Sequence, residues 1–189
     1  MFLLYLSFVF TVATGSNHQP PNPFSVHYNT SWHDLKEALN TTEEIWMTKR
    51  NQSLDPVECV RMQKTFLNET EYHFNQRYRK QEQLKQIPYV SKLFNGTKEP
   101  IMKVRHRAES ERRAITYTFR FWNNTEKCGI FTFNLQVDTC EQYVWRSHIQ
   151  NKPFCDSAYT AMCGHMTYPV FKPSCLKKVD ICIGLPSNC

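Results

Sequence analysis

After residue 15 the sequence has no long apolar run, and it contains no C-x-x-C pair, no phosphate-binding loop and no nucleophile–base motif. Each absence removes a class of protein. Without a stretch of about 20 apolar residues, nothing beyond the N-terminus can cross a bilayer as a helix. Without close cysteine or histidine pairs, a zinc site has no support, and no metal is expected. The histidines are scattered and no catalytic signature occurs, so the sequence indicates neither an enzyme nor a cofactor. No strand–helix–strand rhythm, internal repeat or low-complexity segment appears, which leaves one ordinary domain that is not of the alternating α/β type.

What is present points to export. Residues 1–15 (MFLLYLSFVFTVATG) carry no charge and end in small residues at Ala13 and Gly15, the pattern of a signal peptide without a charged leader. Residues 16–189 are then the mature domain. Eight cysteines, an even number, suit a disulfide-forming compartment. Six N-x-S/T sequons, at Asn29, Asn40, Asn51, Asn68, Asn95 and Asn123, suit a secreted glycoprotein.

The pattern reads as a short helix, eight strands and a second helix. Ser31 and Asp34 are placed to cap SWHDLKEALN, where Trp32, Leu35 and Leu39 recur at helical spacing. Strands are expected at 43–51, 58–67, 71–80, 83–94, 100–108, 111–122, 127–134 and 139–146, and the second helix over about 153–163. Pro88 marks the fourth strand as an edge, a bulge or a break. Strands at roughly ten-residue intervals indicate an antiparallel sandwich or barrel.

Alternation assigns faces. Ile115, Tyr117, Phe119 and Phe121 share one face of their strand, opposite Arg112, Thr116, Thr118 and Arg120. Met102, Val104, His106 and Ala108 likewise oppose Lys103, Arg105 and Arg107. With Glu109-Ser110 as a two-residue turn, Met102 pairs with Tyr117, Val104 with Ile115 and His106 with Arg113, all pointing inward. The opposite face bears a basic stripe within a chain of net charge +6. Such a stripe is usually a solvated sheet face; its alternative is a contact for an acidic glycan or a negatively charged host protein. Nucleic acid is not an expected partner of an exported glycoprotein.

The last third is the most specific region. KCGIFTFNLQVDTCEQYVWRSHIQNKPFCDSAYTAMCG, followed by YPVFKPSC, places a cysteine on each of two strands, two on a helix and more in an irregular tail. With ALNTTEEIWMTKRN at the start, this order resembles the tick salivary lipocalins, the histamine-binding and related barrels of blood-feeding ectoparasites. The similarity runs over about residues 31–182. The G-x-W signature of vertebrate lipocalins is absent, since Glu44 and Ile45 precede Trp46. The resemblance implies an eight-stranded antiparallel lipocalin-like barrel with the C-terminal helix packed outside. It also implies disulfides Cys59–Cys175 and Cys128–Cys155. Three pairings of Cys140, Cys163, Cys182 and Cys189 then remain, of which Cys140–Cys163 with Cys182–Cys189 is favoured.

The same resemblance implies a secreted scavenger of a small host inflammatory or haemostatic mediator, or else a lipocalin that blocks a host complement or haemostatic protein. Amine binders of the family carry Cys-Asp-aliphatic, then Glu-Leu-[Trp/Tyr], then Cys. Here these read Cys128-Gly129-Ile130, Glu141-Gln142-Tyr143 and Cys155, so Gly129 replaces the aspartate. The expected interior set is Trp46, Tyr117, Phe119, Phe121, Phe131, Phe133, Glu141, Tyr143 and Trp145. His106 and Arg113 are expected to face each other at one mouth. An arginine there suits a carboxylate, which favours a fatty-acid or eicosanoid-like anion over a biogenic amine.

Overall fold

The computed structural model describes residues 28–53, 57–135 and 137–176. The expected signal peptide and the Cys182–Cys189 pairing lie outside these residues. Among them, no helix is long and apolar enough to cross a membrane.

The chain opens with helix α1 (Trp32–Leu39), held by the expected capping box: Asp34 N–H donates to the Ser31 hydroxyl, and Ser31 N–H donates to the Asp34 carboxylate at 2.7 Å. Eight strands follow: β1 (Ile45–Arg50), β2 (Glu58–Leu67), β3 (Glu71–Lys80), β4 (Gln83–Phe94), β5 (Ile101–His106), β6 (Ile115–Asn123), β7 (Cys128–Asn134) and β8 (Asp138–Trp145). Every neighbouring pair from β2 to β8 is antiparallel, β8 pairs with β1, and β1 returns to β2 through Ile45–Met62 and Trp46–Arg61. The sheet is therefore a closed eight-stranded barrel, which leaves no long open edge. Where β1 and β2 diverge, a two-residue strand β9 (Tyr168–Pro169) pairs with β1. Val170, next in the chain, links both sides, since its N–H donates to Thr48 and its carbonyl accepts from Cys59 N–H.

Helix α1 closes one end of the barrel, with Leu35, Ala38 and Leu39 buried in the interior core. Helix α2 (Pro153–Cys163) packs outside, burying Cys155, Ala158, Tyr159, Met162 and Cys163. Proline at its first turn suits a position that needs no N–H. Two disulfides hold α2 to the wall: Cys128–Cys155 with Cα atoms 6.3 Å apart, and Cys140–Cys163 at 5.9 Å. A third, Cys59–Cys175, ties the tail to β2.

Two sequence expectations are met only in part. Pro88 does not break β4, but it stands where the β5 ladder ends, so that the residues before it pair with β3 alone and form the edge part of the strand. The Pro88 carbonyl accepts from Arg107 N–H, so its donor-free nitrogen also faces β5, at the last rung of that ladder, and the β3 ladder loses nothing. The β5–β6 connection is longer than a two-residue turn. Val104–Ile115 and Met102–Tyr117 pair as expected, but Glu111–Arg113 forms a 3-10 turn instead of continuing the strand.

Candidate functional site

The barrel encloses a cavity of about 170 Å³ in the half away from α1. Its walls are apolar: Met47 from β1, Val60 and Met62 from β2, Phe74 from β3, Met102 and Val104 from β5, Ile115 from β6 and Phe131 from β7. Polar groups enter from a few places only. Gln76, Tyr89, Tyr117 and Tyr143 reach the cavity, and Arg50 and Glu141 complete it. Apolar walls with a few placed polar groups are the usual make-up of a small-molecule site.

Arg50 reaches the interior because of a bulge. Strand β1 places Ile45 and Met47 inside, but its register with β8 shifts between Met47 and Lys49. Thr48 and Lys49 consequently both face outward, where Thr48 donates to Gln142 and Lys49 pairs with Asp156 of α2 at 2.7 Å. Arg50 then turns inward, directly across from Glu141 on β8. Both residues are buried. The Tyr143 hydroxyl donates to the Glu141 carboxylate at 2.7 Å. Burial pushes the Glu141 carboxyl up to about 7, against the opposing pull of that hydrogen bond and of the Arg50 charge. Burial, reinforced by the nearby Glu141 charge, raises the Tyr117 and Tyr143 phenols well above their ordinary value.

Of the expected interior residues, Tyr117, Phe131, Glu141 and Tyr143 line the cavity. Phe133 packs against Tyr117 with tilted rings and centroids 4.5 Å apart, and Phe119 against Phe131 likewise at 4.7 Å. Trp145 lies deeper, beneath α1, where its indole donates to the Ala38 carbonyl. Four expectations are overturned. Trp46 faces outward, under the tail, against Phe171 and beneath the Arg61 guanidinium. Phe121 also faces outward, because a register shift between Phe119 and Phe121 flips the rest of β6; it packs beneath α2, and Trp122 takes the inward place. Arg113 lies on the 3-10 turn with its side chain 74% exposed, paired with Glu109. His106 does not meet Arg113; it stands against Tyr89 in an edge-on contact.

Arg50 was not among the sequence candidates; alternation from the observed inward Ile45 and Met47 would leave it outside, and only the bulge turns it in. The segment EYHFNQRYRK did carry a usable signal for Phe74 and Gln76, as its alternate residues form the inner face of β3. One sequon also changes status. Asn51 is buried, its Oδ1 accepting from Cys140 N–H at 2.8 Å and its Nδ2 donating to Asp138 O. By contrast Asn29, Asn40, Asn68 and Asn95 are exposed and Asn123 half-buried.

At Gly129, where amine binders of the family carry aspartate, a Cβ would lie 2.9 Å from Cε2 of Phe119. The Phe119 ring thus occupies the space that a side chain at 129 needs. Glu141 is the carboxylate that lines the cavity.

A closed eight-stranded antiparallel barrel around a largely apolar cavity, with a helix against its outer wall, is the lipocalin-type architecture. The model of the tick histamine-binding protein family matches residues 23–177. The chain belongs to that family. Among solved structures, it is similar to AM182 in its serotonin complex, with 16% identity over 78% of this chain and 94% of that one and a TM-score of 0.60. It is also similar to japanin from Rhipicephalus appendiculatus bound to cholesterol, with 12% identity over 70% and 94% of the two chains and a TM-score of 0.52. No curated protein matches the chain significantly.

Proposed function

We propose that this protein is a secreted scavenger that sequesters a small amphiphilic host mediator in the barrel, with the mediator's anionic head at Arg50 and its apolar part along Phe74, Met102 and Phe131. The observation that carries this reading is the inward cross-strand pair Arg50–Glu141 at one side of an otherwise apolar cavity. A ligand carboxylate would compete with Glu141 for the guanidinium, and Glu141, poised near neutrality, can take up a proton as it yields. The head group then meets a site of compensated charge instead of two adjacent carboxylates.

An amine is the second reading. It is supported by the Glu141 carboxylate among Tyr89, Tyr117, Phe131 and Tyr143, and by the serotonin held in the similar AM182 fold. Arg50 opposes it, since an ammonium ion entering beside an existing Arg–Glu pair leaves a net buried positive charge. Calorimetric titration with leukotriene B4, arachidonate, serotonin and histamine, in two buffers of different ionisation enthalpy at pH 7, separates the readings. Anion binding should take up a proton and be weakened at least about tenfold by Arg50→Gln, the loss of one charge-assisted contact. Proton release on binding serotonin or histamine, with no response to the two acids, would establish the amine reading instead.

A further inference from the structure

The outer face of β4, β5 and the β5–β6 connection carries a feature the barrel interior does not use. We propose that it is a binding surface for a sulfated glycosaminoglycan chain.

Lys92 of β4 and Lys103 of β5 are direct cross-strand partners, and Val90 pairs with Arg105. Like charges set directly opposite on a sheet repel, and here the opposition of Lys92 and Lys103 is offset only by Glu71 on β3 and the exposed Glu111. Along β5, Lys103 and Arg105 project from alternate residues, about 6.5–7 Å apart on a rigid strand, and Arg107 follows in the turn just beyond it. Arg112 and Arg113 on the neighbouring 3-10 turn extend the field, and both are exposed. Six cations here face three carboxylates, Glu71, Glu109 and Glu111, of which Glu71 is the β3 partner of Lys92, within a chain whose whole formal charge is +6. Between them lies a surface depression of about 170 Å³, lined by Val90, Lys92, Phe94, Lys103, Arg105 and Glu111.

Two details favour a sulfated sugar over other polyanions. Phe94 is 39% exposed at the edge of the depression, with the Lys103 ammonium 5.2 Å from its ring centre. An exposed aromatic face beside an ammonium offers a pyranose ring apolar contact while the cation meets its sulfate. The cations also form a narrow band running from Lys92 and Lys103 through Arg105 and Arg107 to the 3-10 turn, which fits a linear chain better than the broad sheet of charge on a membrane. Glu111 pairs with Lys92 but is 64% exposed, and such a surface pair is worth little and opens readily. Arg105 is the fixed member. Its Nη1 donates to the carbonyls of Arg107 at 3.1 Å and Glu109 at 2.9 Å, which shapes the connection that presents Arg112.

The test is titration of a heparin octasaccharide over a series of salt concentrations. A patch variant (Lys92→Ser, Lys103→Ser, Arg112→Ser) is compared with a charge-matched control (Arg77→Ser, Lys85→Ser, Arg146→Ser), and Arg105 is left intact to preserve the turn. Thermal midpoints confirm that both variants are folded. The patch variant should bind at least about tenfold more weakly than the control, as expected for three exposed charge contacts. Phe94→Ser, which changes no charge, should also weaken binding severalfold. Equal losses in patch and control variants would reduce the effect to net charge and overturn the proposal. So would an unaltered Phe94→Ser, or tighter binding of duplex DNA or phosphatidylserine vesicles than of heparin at the same salt. Because the surface lies outside the barrel, leukotriene titration of the same variants reports separately on the interior site.

Discussion

Arg50 and Glu141 face each other across β1 and β8, and both side chains are inside the barrel, although Arg50 belongs to the outward set of an ideal β1. The bulge that turns Arg50 inward therefore supplies the charge that makes a buried carboxylate tolerable. The same bulge leaves Lys49 outside, where it joins the barrel wall to α2 through Asp156. One local irregularity sets the polarity of the cavity and the seat of the helix together.

Glu141 makes stability fall as pH rises. Its folded-state pKa of about 7 lies above the ordinary 4.5, so between these values the native chain keeps a proton that the unfolded chain has lost. The contribution is full below about pH 4.5 and is lost as pH climbs through 7. Urea denaturation from pH 4.5 to 8 should show a decline attributable to this group of up to about 3 kcal/mol. In Glu141→Gln that component should vanish; an unchanged slope would show that Glu141 does not titrate in this range.

Gly129→Asp should destabilise by about 1–3 kcal/mol, since its Cβ meets the Phe119 ring and its charge is buried. In the Phe119→Leu background the added penalty should shrink. A double-mutant cycle by thermal unfolding gives the coupling, and strict additivity would mean that Phe119 is not the obstacle.

Helix α2 is capped from another element. The Glu126 carboxylate accepts from Phe154 N–H at 3.0 Å and from Cys155 N–H at 2.8 Å, whereas Lys152 at the cap position makes no side-chain cap bond. Glu126→Ala should cost about 1–2 kcal/mol, and Glu126→Gln less. Hydrogen exchange at the first turn of α2 should rise in proportion.

Glycopeptide mass spectrometry should find Asn51 unoccupied and glycans among the exposed Asn29, Asn40, Asn68 and Asn95. A glycan on the Asn51 amide would have to displace its bonds to Cys140 and Asp138. A substantially modified Asn51 in folded protein would contradict the buried position.

Much of the fold was legible in the residues because two-residue periodicity is a local property. It placed all eight strands, the inward partners Met102–Tyr117 and Val104–Ile115, and the inner positions of Phe131 and Tyr143. The Ser31–Asp34 cap was legible for the same reason, as both partners lie within one helical turn. Faces became unreliable where one residue was inserted. Trp46 sits on a strand whose outward face is covered by the tail, so its apolar character did not reveal which side it took.

The sequence by itself determined an all-β chain of eight strands, its helix boundaries and a cysteine order matching one family. Tertiary structure alone decided where the site's charge lies. Strand periodicity is two, so each bulge reverses every side chain beyond it, and neither the shift after Met47 nor the one after Phe119 carries a local residue signature. Those two shifts brought Arg50 in and sent Phe121 out, because closure of the barrel and the packing of α2 demanded it.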